Sequence, residues 1–152
     1  WGEQTYAIYF VVNGQKELTD EYKITLKADI TEDFSKLTAQ DMQVAPIAVL
    51  QNETGSNVKL NLGTFKVGQK ITGKATLKNA GMQPLLIRRI QSIDNVKASI
   101  GKNSLKSGKS AEVKIEVIDA GKTTGTISRP ITIITNDPKN PRITLTVTWT
   151  VE

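Results

Sequence analysis

The stretch Gly101 to Ser110, G-K-N-S-L-K-S-G-K-S, ends in the Gly-Lys-Ser with which phosphate-binding loops close around a nucleotide. Such a loop needs four residues between its glycines and a following helix whose N-terminal amides face the phosphates. Here six residues separate Gly101 from Gly108, and Ala111 to Val117 alternates as a strand. These residues support a hairpin turn rather than a nucleotide site. Paired carboxylates for glycoside hydrolysis would need two acids facing each other across a cleft. The acids available are Asp94, Glu112, Glu116, Asp119 and Asp137. Glu112 and Glu116 share the solvent side of a predicted strand with Lys114. Asp94, Asp119 and Asp137 fall in predicted turns, where aspartate is favoured for backbone reasons. A calcium site would have to gather about six to eight oxygens.

Two features could carry recognition instead. Thr144, Thr146, Thr148 and Thr150 form one face of a strand in I-T-L-T-V-T-W-T-V, with Ile143, Leu145, Val147, Trp149 and Val151 on the other. The threonine row could meet a flat partner or a glycan, although threonine also serves simply as a strand former on a wet face. If this strand lay at a sheet edge, its backbone could accept a partner strand. Arg88-Arg89 places one guanidinium on each side of a predicted strand, and Arg88 joins the threonines as a candidate partner-binding residue.

Composition removes whole classes of chemistry. The 152 residues contain no cysteine and no histidine. Thiol redox chemistry, thiolate metal ligation, and every nucleophile or metal site that depends on imidazole are therefore excluded. No cofactor, metal or catalytic residue is expected, and the chain is read as not an enzyme. The net charge of +5 is unevenly placed: residues 1–45 hold four lysines against eight acids, and residues 46–152 sixteen bases against seven. A basic domain could attract nucleic acid, but its only aromatic residues, Phe65 and Trp149, occupy core-like positions, so base stacking is disfavoured. No apolar run approaches the roughly 20 residues that span a bilayer, and membrane contact is expected only through a lipid anchor outside this chain. Trp1 in place of methionine suggests a piece of something longer.

The elements that would hold these residues are β. Tyr6 to Val12 reads as a strand, Asn13-Gly14 as a type I′ turn, and Glu21 to Ile30 as the return. Two strands alone are marginal in water, so this hairpin needs a neighbouring domain or a second copy to complete it. Residues 31–44 lose the alternation. There Thr38-Ala39-Gln40-Asp41 resembles a helix cap, Pro46 ends the turn, and Phe34, Leu37 and Met42 are expected to dock on a neighbour. From Pro46 onward about seven strands alternate with Gly, Asn or Pro turns, the rhythm of an immunoglobulin-like sandwich.

In order along the chain, Leu62-Gly63-Thr64-Phe65, Lys78-Asn79-Ala80-Gly81, Pro84-Leu85-Leu86-Ile87, Ser107-Gly108-Lys109-Ser110 and Thr135-Asn136-Asp137-Pro138 resemble the bacterial domain of unknown function 1573. That family is similar to the Hydin-type and major-sperm-protein-like branch of immunoglobulin folds, and the likeness covers about residues 57–151. Many members carry cysteines where this chain has Ser92-Ile93-Asp94-Asn95, so no thiol role transfers. The resemblance implies an exported, periplasmic or surface protein of a Gram-negative bacterium, with no activity attached.

The expectations are therefore an all-β fold, with residues 1–45 closing a preceding β-sandwich and residues 46–152 forming an antiparallel immunoglobulin-like sandwich. The expected role is a non-catalytic structural or protein-interaction module. Its partners would be a protein, a neighbouring domain of the same polypeptide, or a second copy joined through the hairpin. The alternative is a carbohydrate-binding module, whose platform would have to come from Trp1, Tyr6, Tyr9, Phe10, Tyr22 and Phe34.

Overall fold

The computed structural model describes the chain apart from residues 17–18, 51–52, 56, 94 and 119–123, and apart from the side chains of 15, 16, 53 and 54. The turn at Ala120-Gly121, Asp94 and Asp119 lie outside the described residues. The chain divides into two compact units, Trp1–Asp33 and Phe34–Glu152.

The first unit holds β1 (Gly2–Tyr9), β2 (Val11–Val12), β3 (Gln15–Lys16) and β4 (Lys23–Ile30). β1 and β4 pair antiparallel from Gly2 opposite Ile30 to Tyr9 opposite Lys23. Val12 pairs with Gln15 across Asn13 and Gly14, whose φ angles of 51° and 78° are those a type I′ turn demands. Asp20–Tyr22 forms a short 3-10 turn rather than the start of the return strand. Tyr6 faces Leu26 and Ile8 faces Ile24, so the alternation of both strands places their apolar residues on one face.

The second unit begins with a short helix, α1 (Ala39–Val44), capped by Thr38. Its strands are β5 (Ala48–Leu50), β6 (Glu53–Thr54), β7 (Asn57–Phe65), β8 (Ile71–Asn79), β9 (Leu85–Ser92), β10 (Val96–Ile100), β11 (Ser104–Leu105), β12 (Ser110–Val117), β13 (Gly125–Thr135) and β14 (Arg142–Val151). One sheet runs β10-β12-β8-β5-β6 and the other β11-β9-β13-β14-β7. All neighbours are antiparallel except β14 and β7, which run parallel from Thr144 beside Asn57 to Val151 beside Phe65. The result is the expected all-β immunoglobulin-like sandwich, with this one parallel pair in it.

The core forms where the alternating faces of the two sheets meet. Ile143, Leu145, Val147, Trp149 and Val151 are all buried, as are Ile71, Ala75 and Leu77 on β8 and Val113, Ile115 and Val117 on β12. Each valine, leucine or isoleucine among them contributes roughly 1.5–3 kcal/mol on leaving water. Gly73 interrupts the β8 row because Leu62 occupies the place its side chain would take. Leu62 reaches there from an irregular part of β7, next to Gly63 at φ 99°.

Two expectations change. β14 lies between β13 and β7, so the final strand is interior and its backbone cannot accept a partner strand. Alternation also breaks at Arg88: Ile134 pairs with Arg89 and Thr135 with Ile87, which leaves Arg88 as the extra residue of a bulge. The arginine pair therefore does not straddle a regular strand.

Candidate functional site

The sequence motifs with the strongest polar character converge on one end of the sandwich, and they are structural. Asn79, Thr135 and Asp137 are buried. Asn79 Nδ2 donates to Gln83 O at 2.8 Å and Leu105 O at 2.9 Å, while its Oδ1 accepts Gly81 N at 2.9 Å. Asn136 Oδ1 accepts Leu86 N at 2.7 Å, and Ser107 Oγ donates to Gly81 O at 2.7 Å. These side chains satisfy backbone groups of turns that have no strand neighbours to satisfy them. The Gly-Lys-Ser stretch joins the same network. Gly108 sits at φ 71°, Gly108 N donates to Asn79 O at 2.9 Å, and β12 rather than a helix follows. No phosphate loop is built.

The candidate threonines lie side by side as expected. Thr144, Thr146, Thr148 and Thr150 are half-buried. Opposite them on β13 stand Thr132, Pro130, Ser128 and Thr126, and on β7 Asn57, Lys59, Asn61 and Thr64. Thr126 and Thr150 share a hydroxyl hydrogen bond of 3.0 Å. The face is mostly hydroxyls and amides, with Pro130 and the charged Lys59 on either side of Thr146. Arg88 belongs to a different place, the β9 bulge, and the structure does not bring it to the threonine row.

The outer face of the other sheet is charged. Lys74 stands directly opposite Lys114, an arrangement that like charges disfavour across strands. Lys74 Nζ reaches Glu112 and Lys70 Nζ reaches Glu116, each at 2.9 Å. The Lys70 hydrogen bond holds the Glu116 carboxyl below the ordinary glutamate range. Glu112 and Glu116 thus lie on the solvent side as half-buried ion-pair partners, not as a catalytic pair. Among the described residues, no three acids gather where they could hold a metal ion.

A cleft of about 710 Å³ opens at the seam between β9 and β10. Its apolar lining is Ile87, Ile90 and Ile100; Arg89 and Lys102 bring positive charge and Ser99 a hydroxyl. It is an open groove with a mixed lining, three isoleucines beside polar and basic groups, more suited to an extended segment than to an enclosed small molecule. Both flanking strands leave an edge there. Among the described residues β10 is the last strand of its sheet and pairs with β12 alone, and β11 with Asn103 covers β9 as far as Ile87, whose N–H donates to Asn103 O at 2.8 Å. Reasoning from sequence missed this cleft because its walls come from two sheets. The one local signal was the shortness of the strand at Val96 to Ile100, a length typical of sheet edges.

The aromatic side chains proposed as a sugar platform are exposed in part. Tyr6, Phe10 and Tyr22 are exposed in the first unit, where they alternate with Ile8, Ile24 and Leu26, while Tyr9 and Phe34 are half-buried.

A family model described as the HYDIN/CFA65/VesB-like, Ig-like domain matches residues 56–149. Among solved structures, a protein of unknown function from Porphyromonas gingivalis W83 is similar over 98% of this chain and 66% of its own, at 19% identity and a TM-score of 0.71. The VesB protease of Vibrio cholerae is similar over 62% of this chain and 30% of its own, at 19% identity and a TM-score of 0.53. The chain thus spans about two thirds of the first and under a third of the second, and at this identity the likeness is one of fold. No curated protein matches the sequence.

Proposed function

We propose that this chain, which belongs to the HYDIN/CFA65/VesB-like family of immunoglobulin-like domains, is a non-catalytic structural and protein-interaction module of an exported bacterial envelope protein. The observation that carries this reading is the hairpin of the first unit. Tyr6, Ile8, Ile24 and Leu26 stand on one face and are exposed, Tyr6 at 58% and Leu26 at 53%. A two-stranded sheet is marginal in water, and an apolar face of this kind marks a surface made to be covered.

The cover is a neighbouring domain of the same polypeptide. Residues 1–45 then close a preceding β-sandwich and residues 46–152 form the next one. A related fold in a chain half as long again supports this organisation, as does the resemblance of the turn motifs to the domain of unknown function 1573. Placement in the periplasm or at the cell surface, with any membrane attachment through a lipid anchor outside this chain, follows from that resemblance.

Hydrogen exchange tests the module directly. Amides of β1 and β4 should exchange at least about a hundredfold more slowly in the longest natural polypeptide that contains residues 1–152 than in the isolated chain. Equal exchange in both would sink the reading. Light scattering at low and high salt separates the other cover: a dimer at both would assign the hairpin face to a second copy.

The exposure of Tyr6, Phe10 and Tyr22 favours one second reading, a carbohydrate-binding module whose rings stack on sugars. Quenching of intrinsic fluorescence by a soluble neutral polysaccharide, abolished by Tyr6→Ala with the fold intact, is its expected signature. Unchanged fluorescence across a panel of such polysaccharides would dismiss it.

A further inference from the structure

We propose that the seam between β9 and β10 binds an extended peptide segment of alternating apolar and acidic residues, added as a strand to the free edge of β10. The inference rests on the recognition role proposed above and names the chemistry of a partner. An edge strand presents a row of unpaired N–H and C=O groups, and an added strand satisfies them while alternate side chains enter pockets that give specificity. Among the described residues β10 pairs on one side only. Its residue Ser99 lines both the cleft and a groove on the lysine-bearing outer face, so the strand is reachable from both sides. β10 is five residues long, which suits a short segment and discourages indiscriminate pairing of the sheet.

The side-chain pattern of the partner follows from β10 itself. Val96, Ala98 and Ile100 point toward the core while Lys97 and Ser99 point outward. A strand laid beside them would turn every second side chain inward, over Ile87, Ile90 and Ile100, where apolar groups leave water. Its other side chains would run beside Lys97. Lys102 and Arg89 add positive charge to the cleft wall, and no acidic residue is among its described lining. Carboxylates at the outward positions complement Lys97, and Lys102 at the rim adds to the positive field there. Nucleic acid fits poorly, because the lining offers no aromatic ring for a base.

The probe is a capped peptide of about seven residues alternating valine and glutamate, titrated into residues 1–152 by heteronuclear NMR. The expected result is a set of amide shifts confined to Val96–Ile100 and Arg89–Gln91, lost when alternate peptide nitrogens are methylated. The double variant Lys97→Glu, Lys102→Glu should weaken this peptide at least about tenfold and improve a valine-lysine peptide by a similar factor. Both substitutions are at exposed positions, and the reciprocal swap is a readout that mere unfolding would not give. The inference is overturned by the absence of shifts across peptides carrying glutamate, threonine or lysine at the outward positions. It is equally overturned by shifts that survive methylation, by shifts that map instead to Lys70 and Lys114, or by concentration-dependent pairing of β10 with a second copy. None of these results alters the exchange behaviour of the hairpin, so failure here is distinguishable from failure of the module reading.

Discussion

The carboxylate of Asp137 accepts the backbone N–H of Ala48 at 2.9 Å, joining positions 89 apart in sequence. Its other oxygen accepts Lys139 N at 2.9 Å and Asn140 N at 3.2 Å. One buried side chain therefore holds the turn before β14 in shape and ties it to β5 in the opposite sheet. A carboxylate accepting several backbone donors is a strong arrangement, since charge-assisted hydrogen bonds exceed neutral ones.

Replacing Asp137 by alanine should strand the buried Ala48 N–H, while the part-buried Lys139 and Asn140 N–H groups turn to water. At about 1–3 kcal/mol for a buried donor left unsatisfied, Asp137→Ala should destabilise the fold by about that amount. Asp137→Asn keeps one acceptor oxygen and should lose less. Urea denaturation checks both, with a lowered midpoint and an unchanged slope. A loss below about 0.5 kcal/mol for alanine, the level of an ordinary surface change, would refute the tie.

Gly81 carries a second, steric prediction. An added Cβ would overlap the Ala45 carbonyl oxygen and stand 2.6 Å from Ile47 N and 2.7 Å from Pro46 Cα, all backbone atoms. Ala80 N donates to Ile47 O at 2.8 Å and Gln83 N to Val44 O at 2.9 Å, so the two segments are already fixed together. Gly81→Ala should cost on the order of 3 kcal/mol. Its amide spectrum should change at Val44 to Ala48 before it changes elsewhere.

What the sequence disclosed and what it withheld divide along the range of the interaction. The strict alternation of Ile143 to Val151, the Asn13-Gly14 turn and the cap at Thr38 are local, and each stands in the structure as read. In residues 31–44 Phe34 and Met42 are half-buried and Leu37 is exposed, and the backbone contact with the 79–83 turn is made by Val44 and Ile47. The parallel pairing of β7 with β14 leaves no local trace, because side chains alternate alike in parallel and antiparallel strands. The same holds for the cleft, whose lining residues come from β9, β10, the loop after it and the start of β11. Arg88 misled because a bulge shifts alternation without changing residue type.

The capping box yields a pH prediction. Thr38 Oγ1 accepts Asp41 N at 3.2 Å, and Thr38 N and Oγ1 donate to Asp41 Oδ2 at 2.9 and 2.6 Å. The Thr38 hydroxyl, then its backbone N–H, hold the Asp41 carboxyl below the usual aspartate range. A carboxyl lowered on folding supports the helix above its unfolded value, and that support fades as pH falls through the lowered one. Carboxyl NMR should find the Asp41 midpoint low in the native chain and returned toward the ordinary range in Thr38→Val. An Asp41 midpoint identical in both would remove the cap as its cause.

Trp149 separates packing from polarity. It is 1% exposed, and its Nε1 has no hydrogen-bond partner among the described residues. Trp149→Ala removes the largest side chain of the core and should cost about 3–5 kcal/mol through lost transfer energy and a residual cavity. Trp149→Phe leaves a smaller void and also deletes a donor whose burial unpaired opposes folding by about 1–3 kcal/mol. Phenylalanine should therefore lie within about 1.5 kcal/mol of the native residue, the range of a tolerated hydrophobic exchange. A loss for phenylalanine close to that for alanine would mean that the indole N–H is satisfied in solution, and its hydrogen-exchange rate would report the partner.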